Sequence, residues 1–432
     1  MRTFKWLVPF LLSVFLLFMS LGVAMSGSKK NGGGTFPESV MQPDYAFDER
    51  GLFAVGYYGG RNAKLAPELQ RYRPVPFRTV KVNPTRILVG SVLFIPEAYG
   101  VQLPDGQFHD GFFLAHDADV SIPRDQIKIF LNKPRENPFS ERFKNGNVHV
   151  YVVHEPIESS VNLRFRDRFT AKAEKPLYRM VAGEIEALMK EVNGKISSVP
   201  QRIQYYSERA KGTPYVIFCL GEGPTAPIDR DPLMDFSRTD CMVFCEHMLA
   251  LSISRDYPEL FRNLQKIRYK NGIIDFKMRN HFTIADWLPN NSWLLHDATR
   301  EIGGEYCKKI TKVIDRRKNL AEAGCTDTLD VPPRQRLTVD YVPAEHLVDV
   351  QNKLRGGEIV SIVTTRPGII SAHMGIIVRD RYGNVLFRHA SSAKRNRKVV
   401  DEFLSDVAAA LQKSRDRVGM IFMRVNDTIQ IP

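Results

Sequence analysis

The stretch Ser237–Leu251, "SRTDCMVFCEHMLAL", sets the interpretation of the C-terminal half of the chain, because it places two cysteines one helical turn apart behind an aspartate. Ser237, with Asp240 three residues further on, matches a capping signature at the start of a helix. Cys241 is therefore expected in the first turn, where backbone N–H groups and the helix dipole stabilise a thiolate. Cys245 follows one turn later on an apolar side. On this helix alone, Cys241 is either a nucleophile or, like Cys245, a buried structural residue.

A thiol nucleophile needs a base, normally a histidine, and that histidine needs an orienting group. Two of the ten histidines fall in a predicted C-terminal hairpin: His373 in "SAHMGIIV" and His389 in "LFRHASS". If Asp380–Asn384 form a five-residue loop, the two histidines share a sheet face and lie within hydrogen-bonding distance. A two-residue loop at Gly383-Asn384 would place them on opposite faces. The sequence does not decide between these two hairpin loops.

The composition limits the class of protein. The 432 residues exceed one ordinary domain, and 43% hydrophobic with 25% charged residues can form packed cores. The net charge of +13 favours polyanionic partners such as nucleic acid, anionic lipid or acidic wall polymer. The chain shows no zinc-finger spacing, phosphate-binding glycine loop or aromatic RNA motif. We therefore expect no nucleic-acid partner.

The N-terminus predicts export. Within residues 1–25, two positive charges precede an apolar run that is either a cleaved signal peptide or a membrane anchor. Residues 26–42 read as a flexible leader. The body of the protein is thus expected in the periplasm or cell envelope, with membrane attachment through the N-terminus as one alternative. Five cysteines cannot all pair within one chain, and Cys307 could bridge to Cys325, although spacing alone does not show it.

The pattern of the remaining chain predicts two domains and an α+β fold. Residues 43–155 contain short β-rich runs interrupted by Pro, Gly and Asn, which predict a small all-β barrel. Residues 156–210 change to helical spacing and are interpreted as a helical connector. Residues 211–432 predict helices followed by a β-meander, with strands in "GEIVSIVTT", "AHMGIIVRD", "NVLFRHAS" and "GMIFMRV".

The C-terminal motifs occur together in an informative order: "GTPY", "TDCMVFCEHMLAL", "HMGIIV" and "RHASS", with "IRYKNG", "RNHFTIADWLPNN" and "LLHDAT" between them. Residues 176–432 thereby resemble the NlpC-type superfamily of papain-like cysteine peptidases that cut bacterial peptidoglycan. The branch they resemble most is described as N-acetylmuramoyl-L-alanine amidase-like. The resemblance implies helices packed on an antiparallel sheet.

Carried over position by position, the resemblance implies Cys241 as nucleophile, His373 as general base and His389 as the residue that orients the base. The backbone N–H of Cys241 would contribute to an oxyanion hole, which Tyr215 of "GTPY" would line. Val243 stands where the branch usually has threonine, a change that leaves the triad intact. No metal or dissociable cofactor is implied.

Four further residues fall at motif positions of the branch. The resemblance gives them one of two roles, a buried charge network or a substrate rim, and both remain open. They are Glu246, Arg279, Asp286 and Trp287.

The N-terminal region carries a fainter resemblance, through "VNPTRILVGSVLFIP", "FFLAHDADVSIPRDQIKIF" and "FSERFKNGNVHVYVV". It is similar to the double-psi β-barrel "three-aspartate" domain of wall lytic transglycosylases. That family's aspartates fall where this chain has Asn83, Asp117 and Lys128, so only Asp117 remains as a residual catalytic candidate. The expected role of the barrel is to bind glycan or to position the amidase.

The resemblances predict an exported peptidoglycan hydrolase that contacts both stem peptide and glycan. The expected cut is the N-acetylmuramoyl-L-alanine amide bond, with an endopeptidase cut inside the stem peptide as the nearest alternative. A wall-binding scaffold with an idle site and an acyltransferase acting on lipid are the rivals from other classes. The oligomeric state is left open.

Overall fold

The structure is a computed structural model. It describes residues 46–59, 74–104, 106–131, 136–143, 145–154, 175–332, 334–380, 383–394 and 396–432. The predicted signal or anchor, the leader and the first part of the connector lie outside these residues. The described residues form two compact units, one within 46–154 and one within 175–432. Among them, no helix combines the length and apolarity needed to cross a bilayer.

The N-terminal unit is a closed six-stranded barrel in the order β1-β5-β2-β4-β3-β6. The β1–β5 and β2–β4 pairs are parallel, and the others are antiparallel. Alternating inward residues, such as Phe113, Ile127 and Val150, form one buried core. The strands are β1 (Ala46–Tyr58), β2 (Thr79–Val82), β3 (Val92–Phe94), β4 (Phe112–Ala118), β5 (Gln126–Phe130) and β6 (Asn147–His154).

The all-β prediction for this unit is confirmed, and the double-psi assignment stays a prediction. Each of the strands β2 to β6 corresponds to one predicted run, and β6 extends one residue beyond its run. The runs are "FRTVKV", "GSVLFIP", "GFFLAHDADVSI", "QIKIFL" and "NVHVYVV". Strand β1 was not expected, because its sequence "AFDERGLFAVGYY" mixes charges and glycines with the apolar residues. A bulge between Glu49 and Gly51 accommodates this irregular pattern in the pairing with β6.

The C-terminal unit contains an antiparallel sheet in the order β13-β12-β11-β10-β14-β9-β8, with β7 paired to β14. The four strands of the predicted meander are β10, β11, β12 and β14. The full set is β7 (Leu295–Asp297), β8 (Lys308–Ile314), β9 (Gln335–Pro343), β10 (Ile359–Thr364), β11 (Ser371–Arg379), β12 (Val385–Ala390), β13 (Val399–Phe403) and β14 (Arg417–Val425).

Helices cover this sheet. Helix α3 contacts β11 and β12 and is flanked by α2 and α4. Helix α8 packs through Leu404 and Val407 on the sheet face that carries Ile362, Phe387 and Met420. The helices are α1 (Ala182–Lys195), α2 (Val199–Arg209), α3 (Cys241–Ile253), α4 (Tyr257–Arg268), α5 (Leu288–Asn290), α6 (Thr299–Gly303), α7 (Arg316–Glu322) and α8 (Leu404–Gln412).

Two expectations change. Helix α3 has no single core face: every residue from Val243 to Ser252 is buried, because the helix is apolar nearly all round. Cys307 and Cys325 are not bridged; the Cys307 thiol donates to the Thr299 carbonyl instead.

Candidate active site

Cys241 is the first residue of α3, so the predicted first-turn position is confirmed. Asp240 is the N-cap: its Oδ1 accepts from the N–H groups of Met242 at 3.0 Å and Val243 at 2.9 Å. Ser237 is not part of the cap, because its hydroxyl donates to Asp235. The N–H group of Cys241 takes part in neither of these two hydrogen bonds.

Tyr215 lies beside this helix start. Its segment runs parallel to Thr239, with Val216 N–H donating to the Thr239 carbonyl at 2.9 Å. Burial is the main cause that raises the pKa of the Tyr215 phenol above its usual value, and electrostatic interactions with Cys241 and Asp240 add to it. The structure thus brings together Tyr215 and Cys241, as the sequence predicted.

The two histidines meet on one face of the sheet. Arg379 pairs with Val385, which makes Asp380–Asn384 the five-residue loop and excludes the two-residue hairpin. His373 Nε2 lies 2.7 Å from His389 Nδ1, and both side chains are buried. Their rings are nearly perpendicular, with an interplanar angle of 88°. The predicted histidine pair is therefore confirmed as a geometric unit.

Gly375 makes this pair possible through its lack of a side chain. A Cβ at Gly375 would lie 2.5 Å from Cε2 of Phe387 and 2.7 Å from the Arg388 carbonyl oxygen. The space admits the Phe387 ring, which stacks on His389 with centroids 4.8 Å apart and meets His373 edge-on at 6.2 Å. The ring thereby restricts both imidazoles.

Several contacts connect the cysteine to the histidine strand. Helix α3 packs on β11, and a backbone hydrogen bond from Met374, next to His373, reaches the Cys241 sulfur. Arg417, at the start of β14, interacts electrostatically with both Cys241 and His373. Sequence reasoning missed Arg417 because only the neighbouring strand β10 brings this distant residue to the site.

The surroundings of Cys241 and His373 favour the neutral form of both side chains. Burial, then the Asp240 charge, raises the pKa of the Cys241 thiol to about 12, against backbone hydrogen bonds from Met374, Cys241 and Met242. Burial, then the charges of His389 and Arg417, lowers the pKa of His373 well below 6.5. The expected stabilisation of a thiolate at the helix start is thus outweighed by desolvation. Activation of the thiol requires proton transfer to a base.

Two of the four other motif residues, Glu246 and Arg279, lie in polar contacts with neighbouring charged residues. Glu246 is buried on α3, with Oε2 3.8 Å from Arg268 Nε, and burial raises its pKa to about 7. Arg279 donates to Glu222 at 2.7 Å and to Asp229 at 2.9 Å. These contacts favour the structural alternative.

Asp286 and Trp287 occupy one π-helical turn, Thr283–Trp287. Asp286 Oδ1 accepts from Arg316 Nε at 2.6 Å, which attaches α7 to this turn. Trp287 is fully buried. Both side chains are committed to packing within the unit.

In the barrel, Asp117 is buried on β4 and Lys81 lies opposite it on β2. Lys81 Nζ is 3.2 Å from Asp117 Oδ2, and the N–H of Ala118 donates to Oδ1. Lys81 also pairs in register with Lys128 of β5. The residual aspartate therefore stands in an ion pair beside a second lysine.

Residues 205–413 match the model of the AmiA-like family, described as N-acetylmuramoyl-L-alanine amidase-like. The match spans a little under half of the chain and includes Tyr215, Cys241, His373 and His389. This part of the chain is thus amidase-like in sequence. No curated protein matches the chain. Within the described residues, no group of three or more His, Cys, Asp or Glu side chains is arranged to hold a metal ion.

Solved structures are similar to slightly more than half of the chain. A Legionella pneumophila protein of the DUF1460 family is 24% identical, with a TM-score of 0.50, over 56% of this chain and 94% of that chain. An N-acetylmuramoyl-L-alanine amidase from Bacteroides uniformis is 25% identical, with a TM-score of 0.43, over 53% of this chain and 99% of that chain. The Legionella structure shows a common fold for slightly more than half of the chain.

Proposed function

We propose that the chain is a peptidoglycan hydrolase that cleaves the N-acetylmuramoyl-L-alanine amide bond by cysteine catalysis. One observation carries the proposal: the Cys241 thiol lies at the start of a buried helix, against the strand whose His373 contacts His389 at 2.7 Å. The family match over residues 205–413 supports the substrate class.

The proposed chemistry uses the two histidines and the cysteine in sequence. His373 Nε2 is engaged with His389, so Nδ1 is the nitrogen that takes the proton of the Cys241 thiol. The sulfur attacks the amide carbon, and the N–H of Cys241 stabilises the oxyanion. His373 returns the proton to the departing amine, leaving a thioester. Water, deprotonated by the same imidazole, then releases the acid and restores the thiol.

Export to the cell envelope is part of the proposal. The apolar segment within residues 1–25 supports it, and the net charge of +13 suits an acidic wall polymer. The barrel would bind glycan or position the amidase, since its one remaining aspartate is paired with Lys81.

The test is mass spectrometry of peptidoglycan fragments after incubation with the full chain, with Cys241→Ala and with Cys245→Ala. Cys245 is a buried thiol on the same helix, so its variant controls for the loss of a cysteine. We expect free stem peptides with an N-terminal L-alanine from the wild type and from Cys245→Ala, and none from Cys241→Ala.

Other products would redirect the proposal. Shortened stem peptides would move the cut inside the peptide and establish an endopeptidase. Anhydro-sugar products that persist in Cys241→Ala would assign a lytic activity to Asp117. Intact fragments in every sample would reject the hydrolase in favour of a scaffold or a lipid acyltransferase.

A further inference from the structure

The second nitrogen of His389 is the starting point. The His389 side chain is buried, and among the described residues its Nε2 has no hydrogen-bond partner within normal distance. An unsatisfied buried ring nitrogen is costly, so its surroundings are informative. The Oε1 of Glu402 lies 3.8 Å from this nitrogen.

The sheet brings Glu402 to this position. Strand β13 pairs with β12 so that Phe387 is opposite Glu402 and His389 is opposite Val400. Because side chains alternate along a strand, Glu402 shares the face of Phe387 and His389. The adjacent Asp401 points the other way and accepts from Arg388 at 2.6 Å.

We propose that Glu402 is a positioning residue that sets the tautomers of the histidine pair, an inference that rests on the proposed function. With the carboxylate facing it, His389 carries its proton on Nε2, and its Nδ1 accepts from His373 Nε2–H. His373 Nδ1 is then the unprotonated nitrogen, available as the base that the proposed function requires. The Glu402 carboxylate thereby determines which ring nitrogen carries the proton in both histidines.

Glu402 also compensates charge during the reaction. When His373 takes the thiol proton, a positive charge develops on a buried imidazole that faces His389 and Arg417. Arg417 of β14 acts on His373 as a positive charge, and the Glu402 carboxylate of β13 lies toward His389. Among the described residues, Glu402 thus supplies a negative charge beside the pair. The 3.8 Å separation shortens as the ring becomes charged, as catalytic hydrogen bonds do on proton transfer.

The first experiment compares Glu402→Gln and Glu402→Asp with the wild type, using peptidoglycan cleavage across pH. Glu345→Gln, at a surface pair with Lys308, is the matched control. We expect Glu402→Gln to lower kcat by about tenfold, as for other partners that orient a histidine. Loss of the carboxylate destabilises the imidazolium, so the acidic limb of kcat/KM should shift to lower pH. Glu402→Asp should restore the limb.

If Glu402 had a purely structural role, Glu402→Gln would reduce the active fraction without moving the acidic limb of the kcat/KM profile. A fall in kcat with an unchanged acidic limb would therefore overturn the proposal. An unchanged kcat in Glu402→Gln would overturn it as well.

The second experiment is independent of the substrate. NMR of the full chain labelled with [15N]histidine reports which ring nitrogen of His389 carries the proton. We expect the Nε2–H form in the wild type and in Glu345→Gln, and a mixed or Nδ1–H form in Glu402→Gln. The same tautomer in all three would reject the role of Glu402. A tautomer change in a protein that leaves peptidoglycan intact would keep this role and reject the proposed function alone.

Discussion

The two units handle their candidate catalytic side chains in opposite ways. In the C-terminal unit, the pKa of the half-buried Cys241 thiol is raised to about 12 and the pKa of the buried His373 imidazole is lowered well below 6.5, which favours the neutral form of both groups. In the barrel, Asp117 is buried and faces Lys81 at 3.2 Å. One unit thus surrounds its candidate base with a second imidazole ring, and the other places an ammonium group beside its candidate carboxylate.

The difference lies in the neighbours of each candidate residue. Cys241 starts the helix that packs on β11, the strand of His373, and Arg417 of β14 acts on both residues. Asp117 lies on β4, and the neighbouring positions hold Lys81 and Lys128. The proposed chemistry therefore belongs to the C-terminal unit, and the proposed role of the barrel is binding or positioning.

The largest effect should separate the two units directly. His373→Gln removes the base, and we expect kcat for peptidoglycan cleavage to fall by roughly a thousandfold or more. Asp117→Asn should leave kcat unchanged, while the lost ion pair lowers the free energy of unfolding by roughly 1–3 kcal/mol. Cleavage assays and chemical denaturation of both variants test this. Loss of any glycan cleavage in Asp117→Asn would contradict the comparison.

A second effect tests the neutral thiol. Because burial raises the pKa of Cys241 to about 12, its thiolate fraction should rise about tenfold for each pH unit between about pH 7 and 9. Iodoacetamide labelling, with the Cys241 peptide quantified by mass spectrometry, should follow that slope. The fully buried Cys245 should stay unlabelled in the folded chain and reports on unfolding. A plateau near neutral pH would instead reveal a thiolate–imidazolium pair.

The smallest effect concerns the network behind the nucleophile. Burial raises the pKa of Glu246 from 4.5 to about 7 despite nearby Arg268, so in this window the folded chain keeps a proton that the unfolded chain loses. Wild-type stability should therefore decrease as pH rises from 4.5 to 7, by up to about 1.4 kcal/mol per pH unit from this group.

Glu246→Gln has no ionisable group at this position, so its stability should not fall with pH for this reason. The Tm of the variant minus the Tm of the wild type should therefore increase between pH 5 and 7 and then stay constant. Thermal unfolding at several pH values measures it. A Tm difference that is independent of pH would mean that Glu246 is ionised throughout and held by Arg268.

The sequence was most informative where a local signal repeats. The start of α3, the meander strands and the barrel strands β2 to β6 were predictable, because capping residues and alternating apolar residues act within a few positions. Strands β8 and β13 were not predicted. "KKITKVI" of β8 is largely exposed, and "VVDEF" of β13 becomes a strand only through pairing with β12. Neither segment shows the regular alternation of apolar and polar residues that predicts a strand.

What the sequence determined by itself was the set of candidate groups: a cysteine behind an aspartate at a helix start, and two histidines within one hairpin. The tertiary structure decided how those groups behave. Strand pairing selected the hairpin that places His373 on His389 and brought Arg417 and Glu402 from distant positions. Packing then set the charge of the thiol, because desolvation depends on everything that surrounds a group and not on its neighbours along the chain.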